Sequence, residues 1–563
     1  MAKKKQEQAP EQNQKLIKFV TGRQTKLESE KTNFNDRLQD VADYVAPHRE
    51  DIRGTYLKGE KKGAKIFDGT ALGAAVLATD GIHGYHVSPA FPWFKYAMNR
   101  KKVNKIKEVI DYLQEVEFNM YMALNRSNFY SEMWMYIYDG ETAGTATISC
   151  EEDLLEERIS FETVHPGEIF IAENRYGEVD VLHRKRKRSA RQLVQMFGLD
   201  NLTPQIRQTY ESSPFTEFDI LHAVYPREEY DDRMRDAKNK RYASVWLLLS
   251  GNHICRESGF DRFPYAAWRY MRSGKEPYGI SPAMLAIYDI KGVNLMDKCD
   301  LGARQMAIDP PLNVPSYLEG KVEWKPRGLN YMRDARDKIT PSNIGVDFPA
   351  TDDIMARKQN AIKERFHVDT FLMLSNLQSR GDRTAYEVSE MMGEKAAVLG
   401  AELGPLNTEL DDLNELVFDI ETAAGRMPKP PDILYELAAN DPALRFDPVY
   451  MGPLAQAQRE KFAKEGIRKF FVEITPIVQV KQDTLDKIDG DAAIDILGEI
   501  NNVPQELIKS DDEVAKIRAG RLAAMQQQTA MENAQAVAGS LKTASEADKN
   551  MNGALSGLMG AGK

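Results

Sequence analysis

The stretch from 281 to about 307 constrains this chain most. Leu285, Tyr288, Gly292, Leu295, Cys299, Gly302 and Met306 return at alternating three- and four-residue steps, which puts them on one stripe of a single helix. Unbroken, that helix is roughly 40 Å long at 1.5 Å per residue, and Pro310 and Pro311 stop it. Gly292, Cys299 and Gly302 are small, so a neighbouring helix can come close along the stripe. Two readings stay open: a core helix buried within one chain, or a helix packed against copies of itself.

The residues beyond the helix narrow the architecture. Roughly forty residues rich in Pro, Gly and Asn, with short apolar pieces at 312–314 and 322–324, read as a loop-and-strand insert. Helical character returns at about Thr351, and 379–383 (Ser-Arg-Gly-Asp-Arg) form a polar loop. A second long helical region starts near Thr384, where Thr384 and Glu387 have capping-box spacing. Leu399, Leu403, Leu406, Leu410, Leu413, Val417, Ile420 and Ala424 then step by four and three, a heptad-like seam with Pro405 as its expected kink. A Pro-rich link at 427–431 leads to a helical module at 453–471, an acidic helix pair ending near Arg521, and a low-complexity tail.

The first half is more mixed. Leu16, Phe19, Val20, Leu27, Phe34, Leu38, Val41 and Val45 predict one or two amphipathic helices over 15–46, and the Ala- and Gly-rich 66–86 predicts a tightly packed helix. An aromatic turn at 88–94 precedes a helix from 103 to about 124. Between 140 and 270 the pattern becomes β-type, with runs at 144–150, 169–172, 179–184, 218–225 and 242–249. A helix at 189–197 interrupts them, with Ser189 as N-cap and Gly198 beyond its end. The fold class is therefore α+β, predominantly helical.

With 563 residues, 42% hydrophobic and 28% charged, the chain can bury a large core in two or more regions. No apolar run approaches the ~18–20 residues of a membrane span, and the lysine-rich start lacks the apolar segment of a secretory signal, so a soluble protein that stays, at least initially, in the cytoplasm where it is made is expected. Cys150, Cys255 and Cys299 are too few and too far apart for a disulfide framework or a zinc pattern. The formal net charge of −10 counts against a tight nucleic-acid binder.

Catalytic motifs are missing. His83 and His86 stand three apart, but nothing nearby supplies a third metal ligand. Ser273-Gly274-Lys275 ends like a phosphate-binding loop, yet Arg269 stands where the first glycine belongs and Glu276 where a hydroxyl belongs. The run 183–188 (His-Arg-Lys-Arg-Lys-Arg) is the densest positive cluster; on a strand it alternates faces, and a solvated or subunit-facing strand is expected. The acidic pairs Asp352-Asp353, Asp411-Asp412 and Asp511-Asp512 read as caps and solvated helix faces. No catalytic residue, metal or cofactor is expected.

Several segments together resemble the head-to-tail connector (portal) family of podoviruses, the short-tailed bacteriophages. They are Pro92-Trp93-Phe94; Arg269…Tyr278-Gly279…Pro282…Ala286…Asp289-Ile290-Lys291…Asn294; Thr384-Ala385…Glu387-Val388; Gly425…Met427-Pro428…Pro430-Pro431; Pro453-Leu454-Ala455…Gln458-Arg459; and Asp486…Ile488-Asp489…Asp491. Their order and spacing cover roughly residues 30 to 520. The resemblance implies a ring oligomer, a dodecamer in that family, with wing, stem, clip and crown. After a flexible basic and polar 1–14, it implies a wing at 15–280, stem helices at 281–308 and 351–369, and a clip at 309–350. It further implies a tunnel loop at 370–383, a wing-to-crown helical segment at 384–430, a wing and crown module at 431–520 and a tail at 521–563.

The implied function is a portal without enzymatic activity. Set at one capsid vertex of the virion and assembled in the host cytoplasm, it is a conduit for packaging and ejection of double-stranded DNA, without sequence specificity. Its implied partners are the major capsid protein, scaffolding protein, terminase and tail or adaptor proteins, with no membrane. An acidic net charge suits walls that DNA slides past. Ser379, Arg380, Gly381, Asp382 and Arg383 are the expected DNA-channel loop; Lys321, Trp324 and Arg327 the clip contacts with a partner; Leu285, Gly292, Leu295, Cys299 and Gly302 the stem packing. Another non-enzymatic oligomeric virion or scaffold protein is the alternative, and an enzyme with an unrecognised site is the third reading.

Overall fold

A computed structural model describes residues 2–49, 52–53, 59–314 apart from 155, 232 and 235, 339–341, 348–377, 385–451 and 514–529, with one or two residues at a time elsewhere. The chain divides into two compact units, Met1–Asn99 with Asp111–Lys461, and Arg100–Ile110 with Phe462–Lys563.

In the first unit, α1 (Ala2–Tyr44) is one continuous helix that already includes most of the basic, polar lead-in. Val20, Leu27, Phe34 and Val41, seven residues apart, are all buried along it, and burying such side chains is worth about 1.5–3 kcal/mol each. After α2 (Thr70–His86), β1 (Phe94–Met98) and α3 (Lys107–Arg126, whose residues from Asp111 on belong to this unit) comes α4 (Phe129–Ala143). A β region follows, with β2 (Thr145–Asp153), β3 (Arg158–Thr163), β4 (Ile169–Glu173), β5 (Val179–Ser189), α5 (Ala190–Phe197) and α6 (Pro204–Ser212). It continues through β6 (Glu217–Pro226), β7 (Tyr242–Leu248), β8 (His253–Phe260), β9 (Tyr265–Arg269), β10 (Met271–Arg272) and β11 (Gly279–Ile280).

Strands β4-β5-β6-β7-β8 form a five-stranded antiparallel sheet, and β3-β2-β9 a three-stranded one. Alternation divides the larger sheet cleanly. Leu221, Ala223, Val245 and Leu247 meet Val20 and Leu27 of α1, while Ile220, Trp246 and Leu248 point the other way, under Leu193 and Phe197 of α5 and Ile206 of α6. Ser189 caps α5 as expected, in a full capping box with Gln192. Lys31, between the two halves of the α1 stripe, is fully buried. Its Nζ donates to the carbonyls of Pro166 (2.5 Å) and Ile169 (2.7 Å), and burial pushes its pKa down to about 7.

The second half of this unit is helical: α7 (Pro282–Ile308), β12 (Leu312–Asn313), β13 (Thr340–Pro341), α8 (Phe348–Arg365), α9 (Val368–Leu377), α10 (Ala385–Ala423), α11 (Asp432–Asn440) and β14 (Phe446–Tyr450). β12 pairs with β13, so the insert closes on itself at its base. β14 returns to pair with β1. Leu403, Leu406, Leu410, Leu413 and Val417 of the expected seam are buried, and α10 lies on β9, β2 and β14 of its own chain, so a seam of coiled-coil spacing packs on strands.

One boundary differs from expectation. The helix expected to end at 369 ends as α8 at Arg365, His367 takes a left-handed φ of 53°, and a new helix, α9 from Val368, runs through 370–377, where a loop was expected. The reason is packing: buried Phe371 sits on Gly81 of α2, its ring 2.3 Å from where a Cβ at position 81 would lie. No described helix is long and apolar enough to cross a membrane. In the second unit, residues 514–529 are helical and Arg518 holds Asp491 through bonds of 2.6 and 2.7 Å.

Candidate functional site

The long helix α7 is mounted by its first turn. Ser281 Oγ accepts from the Met284 N–H (3.0 Å) and donates to the Thr142 carbonyl (2.6 Å), with Pro282 in the first turn. Just before it, Gly279 donates its N–H to Thr145 Oγ1 (2.8 Å). Gly144, at φ 75°, and Gly279 pack backbone on backbone: a Cβ on Gly279 would stand 2.1 Å from the Gly144 carbonyl oxygen. Both positions therefore need glycine.

From this mount the two sides of α7 part company. Ala283, Ala286, Ile290, Val293 and Asn294 are buried against the chain's own helices. Asn294 Oδ1 accepts from the N–H groups of Phe67 (2.8 Å) and Asp68 (3.1 Å), tying α7 to the loop before α2. Ion pairs clamp α8 alongside: Lys358 to Asp289 (3.0 Å), Arg365 to Asp289 (3.6 Å) and Arg304 to Asp352 (2.6 Å), with Arg304 also held by Asp300 (2.5 Å) one turn earlier on α7.

The stripe read from the sequence is on the other side. Leu285, Leu295, Met306 and Cys299 are exposed, and Tyr288 is 85% exposed. A Cβ at Gly302 would meet nothing within 4 Å, and one at Gly292 only the far end of Lys358. Leu301 and Ile308 extend this outward apolar surface. The structure thus rejects the core-helix reading of the stripe within one chain. Of the remaining sequence-predicted positions, Ser379, Arg380, Gly381, Asp382 and Arg383 lie outside the described residues, as do Lys321, Trp324, Arg327 and the Thr384 capping box.

The basic run on β5 takes the opposite course. Register places Arg184 beside His222 and Arg186 beside Ile220 on one face. Both arginines are buried, not solvated, and together with Arg188 they converge on Glu162 of β3. Arg184 makes two bonds to Glu162 (2.8 and 2.6 Å) and one to Glu168 (3.1 Å). Burial would raise the Glu162 carboxyl, but Arg184 and Arg186 hold it down at about 2. The alternate residues turn to α1, where Lys185 meets Glu28 (2.8 Å) and His183 Nδ1 meets Gln24 (3.0 Å). Four basic side chains of the run, Arg184, Lys185, Arg186 and Arg188, pair with acids of the same chain, and Lys187 is exposed.

The other chemical candidates assemble no site among the described residues. His83 Nε2 contacts the Tyr130 carbonyl (3.1 Å) and His86 Nε2 contacts Asn407 (2.6 Å), and among the described residues no cluster of acidic, His or Cys side chains has a metal-binding arrangement. Ser273-Gly274-Lys275 lies in the connection between β10 and β11, not before a helix. Asp411 is a packing group rather than a solvated one, accepting from the Tyr450 hydroxyl (2.6 Å). Sequence reasoning passed over a buried contact of a histidine with a serine and a tyrosine: His222 Nδ1 faces the Tyr265 hydroxyl (2.8 Å) and Nε2 faces Ser244 Oγ (2.9 Å). Burial first, then Arg184 and Arg186, push His222 far below its ordinary pKa. It stacks on Trp246 with all three groups sealed, so no substrate reaches it.

Sequence reading named Gly279 and Asn294 only as parts of the family likeness, without their roles, and it missed Glu162 and Gly144 as determinants. The alternation of Arg184, Arg186 and Arg188 signals a counter-charge, though not which acid supplies it.

Comparison with known proteins gives one consistent result. The family model for the bacteriophage head to tail connecting protein matches residues 18–508. The chain is 30% identical over 566 aligned residues to the portal protein of Salmonella phage epsilon15, covering 98% of this chain and 99% of that protein. It is 28% identical over 536 residues to the probable portal protein of Bordetella phage BPP-1, covering 92% and 93%.

Proposed function

Because this chain belongs to the bacteriophage head-to-tail connecting protein family and its function is that of a portal, we propose that its copies close into a ring, a dodecamer, at one vertex of the capsid. Double-stranded DNA passes through the centre of that ring during packaging and ejection. The observation that carries the ring is the outward stripe of α7: Leu285, Tyr288, Leu295 and Met306 are exposed on a helix whose opposite side is already packed. Such a surface on a single chain marks a place for another chain. Self-association satisfies it, and Gly292 and Gly302 leave room for a close helix–helix approach.

In this reading α7 and α8 are the two stem helices, 309–350 between them is the clip, and residues up to 280 build the wing. Arg380 and Arg383 contact phosphates weakly as DNA passes, without reading bases. Lys321, Trp324 and Arg327 engage the terminase and later the tail or adaptor proteins, while the major capsid and scaffolding proteins meet the wing. The family is a structural one, and ATP hydrolysis belongs to the terminase. Assembly takes place in the host cytoplasm, before the protein becomes part of the virion head.

Negative-stain electron microscopy of the purified protein tests the ring. Particles with a central hole wide enough for a duplex are expected; a species that stays monomeric at high concentration, or an oligomer without a hole, overturns it.

A further inference from the structure

In the second unit, Arg100–Ile110 opens on a tight basic turn. Val103–Lys105 is a single 3-10 turn with Val103 buried. It is held by the Val103 N–H donating to the Arg100 carbonyl (3.0 Å) and the Ile106 N–H donating to the Val103 carbonyl (3.1 Å). Around that anchor Arg100, Lys101, Lys102, Lys105 and Lys107 are all exposed, and Glu108 is the one acid among residues 100–110.

Lys101, Lys102 and Lys107 make no hydrogen bond or ion pair among the described residues. Folding gains nothing from these three charges, since like charges repel and Lys107 opens α3 at its positive end. The β5 run settles most of its charge on acids of its own chain, whereas this turn holds its charge outward, where an anion can neutralise it. The surroundings say which kind of anion. Cores of protein–protein interfaces are rich in aromatic side chains, Met and Arg and poor in Lys, and no large hydrophobic side chain of 99–110 is exposed. Contacts to a phosphate backbone draw on Lys and Arg and need no apolar anchor.

We propose that Lys101, Lys102 and Lys107 bind phosphate groups of double-stranded DNA, without reading bases, as a contact separate from Arg380 and Arg383. The choice of DNA rests on the reading of the chain as a DNA conduit, but the contact needs no closed ring.

Fluorescence anisotropy of the full chain with a labelled duplex tests this on the wild type and on Lys101→Gln/Lys102→Gln/Lys107→Gln, compared as the same oligomeric species. Three phosphate contacts make the logarithm of affinity fall against that of salt with a slope of about 2.7, which is about fortyfold between about 50 and 200 mM. The triple variant should lose that much slope and bind at least about tenfold more weakly at the lower salt. The same loss should appear on an Arg380→Gln/Arg383→Gln background, and Lys101→Arg/Lys102→Arg/Lys107→Arg should bind as the wild type does. Equal affinity and equal slope in wild type and triple variant, or no binding by either, overturns the proposal. So does displacement of the duplex by poly-glutamate at equal charge, which would assign the turn to an acidic protein. Particles without a central hole that keep the lysine-dependent binding would overturn the conduit and leave this contact standing.

Discussion

Two regions of this protein treat polarity in opposite ways. On β5 the most basic run of the chain is folded inward, with Arg184 and Arg186 buried on Glu162. On α7 an apolar stripe is turned outward, with Tyr288 and Leu295 exposed. The difference lies in where each finds its complement. The arginines find theirs in a strand of the same chain, so their charge is closed off and available to nothing else. The stripe has its other side occupied by α8 and the loop before α2, and its complement must come from another molecule. Charge density and hydrophobicity are poor guides to surface and core when an assembly is the folded unit.

The largest expected effect falls on the closed side of this comparison. Glu162→Ala leaves buried arginines without their carboxylate and should cost about 3 kcal/mol, at the low end for a broken buried pair because Glu162 itself is half exposed. Denaturant midpoints check it, and an unchanged midpoint would mean that the cluster is solvated. A smaller loss, about 1–3 kcal/mol, is expected from Gly279→Ala, whose methyl group forces the Gly144 carbonyl away and shifts the mount of α7. Thermal unfolding reads it.

Acid sharpens the same contrast. The folded pKa of Glu162, about 2, lies below its ordinary value of 4.5. Its contribution is therefore fully present above pH 4.5 and lost as pH falls toward 2. The wild-type chain should lose stability over that window, whereas Glu162→Gln should show a flatter curve there. The smallest effect on the single chain belongs to the open side. Leu295→Glu, on an exposed helix face, should change unfolding free energy by no more than about 0.5 kcal/mol.

Much of the helical half is legible in the sequence because its elements are amphipathic or sharply punctuated. Pro310 and Pro311, the α7 stripe and the α10 seam each leave a periodic trace, and the Ser189 cap marks the start of α5. α4 leaves none: Phe129, Met133, Tyr136, Ile137 and Tyr138 are buried on every side, so its residues show no polar face. β1 escapes because its partner β14 lies more than three hundred residues away and no local signal encodes that pairing. The break between α8 and α9 rests on Phe371 meeting Gly81, again a contact between distant segments. The site divides the same way. Periodicity exposes the stripe, while burial of the arginines depends on Glu162 arriving from another sheet.

The measurement that bears most directly on the stripe as an intersubunit seam is sedimentation velocity of the wild-type chain beside the double variant Tyr288→Glu/Leu295→Glu, with circular dichroism on both. A closed oligomer is expected for the wild type, and dispersed, fully folded chains for the variant. A variant that sediments as the same oligomer, or a wild type that sediments as a monomer, would contradict the seam.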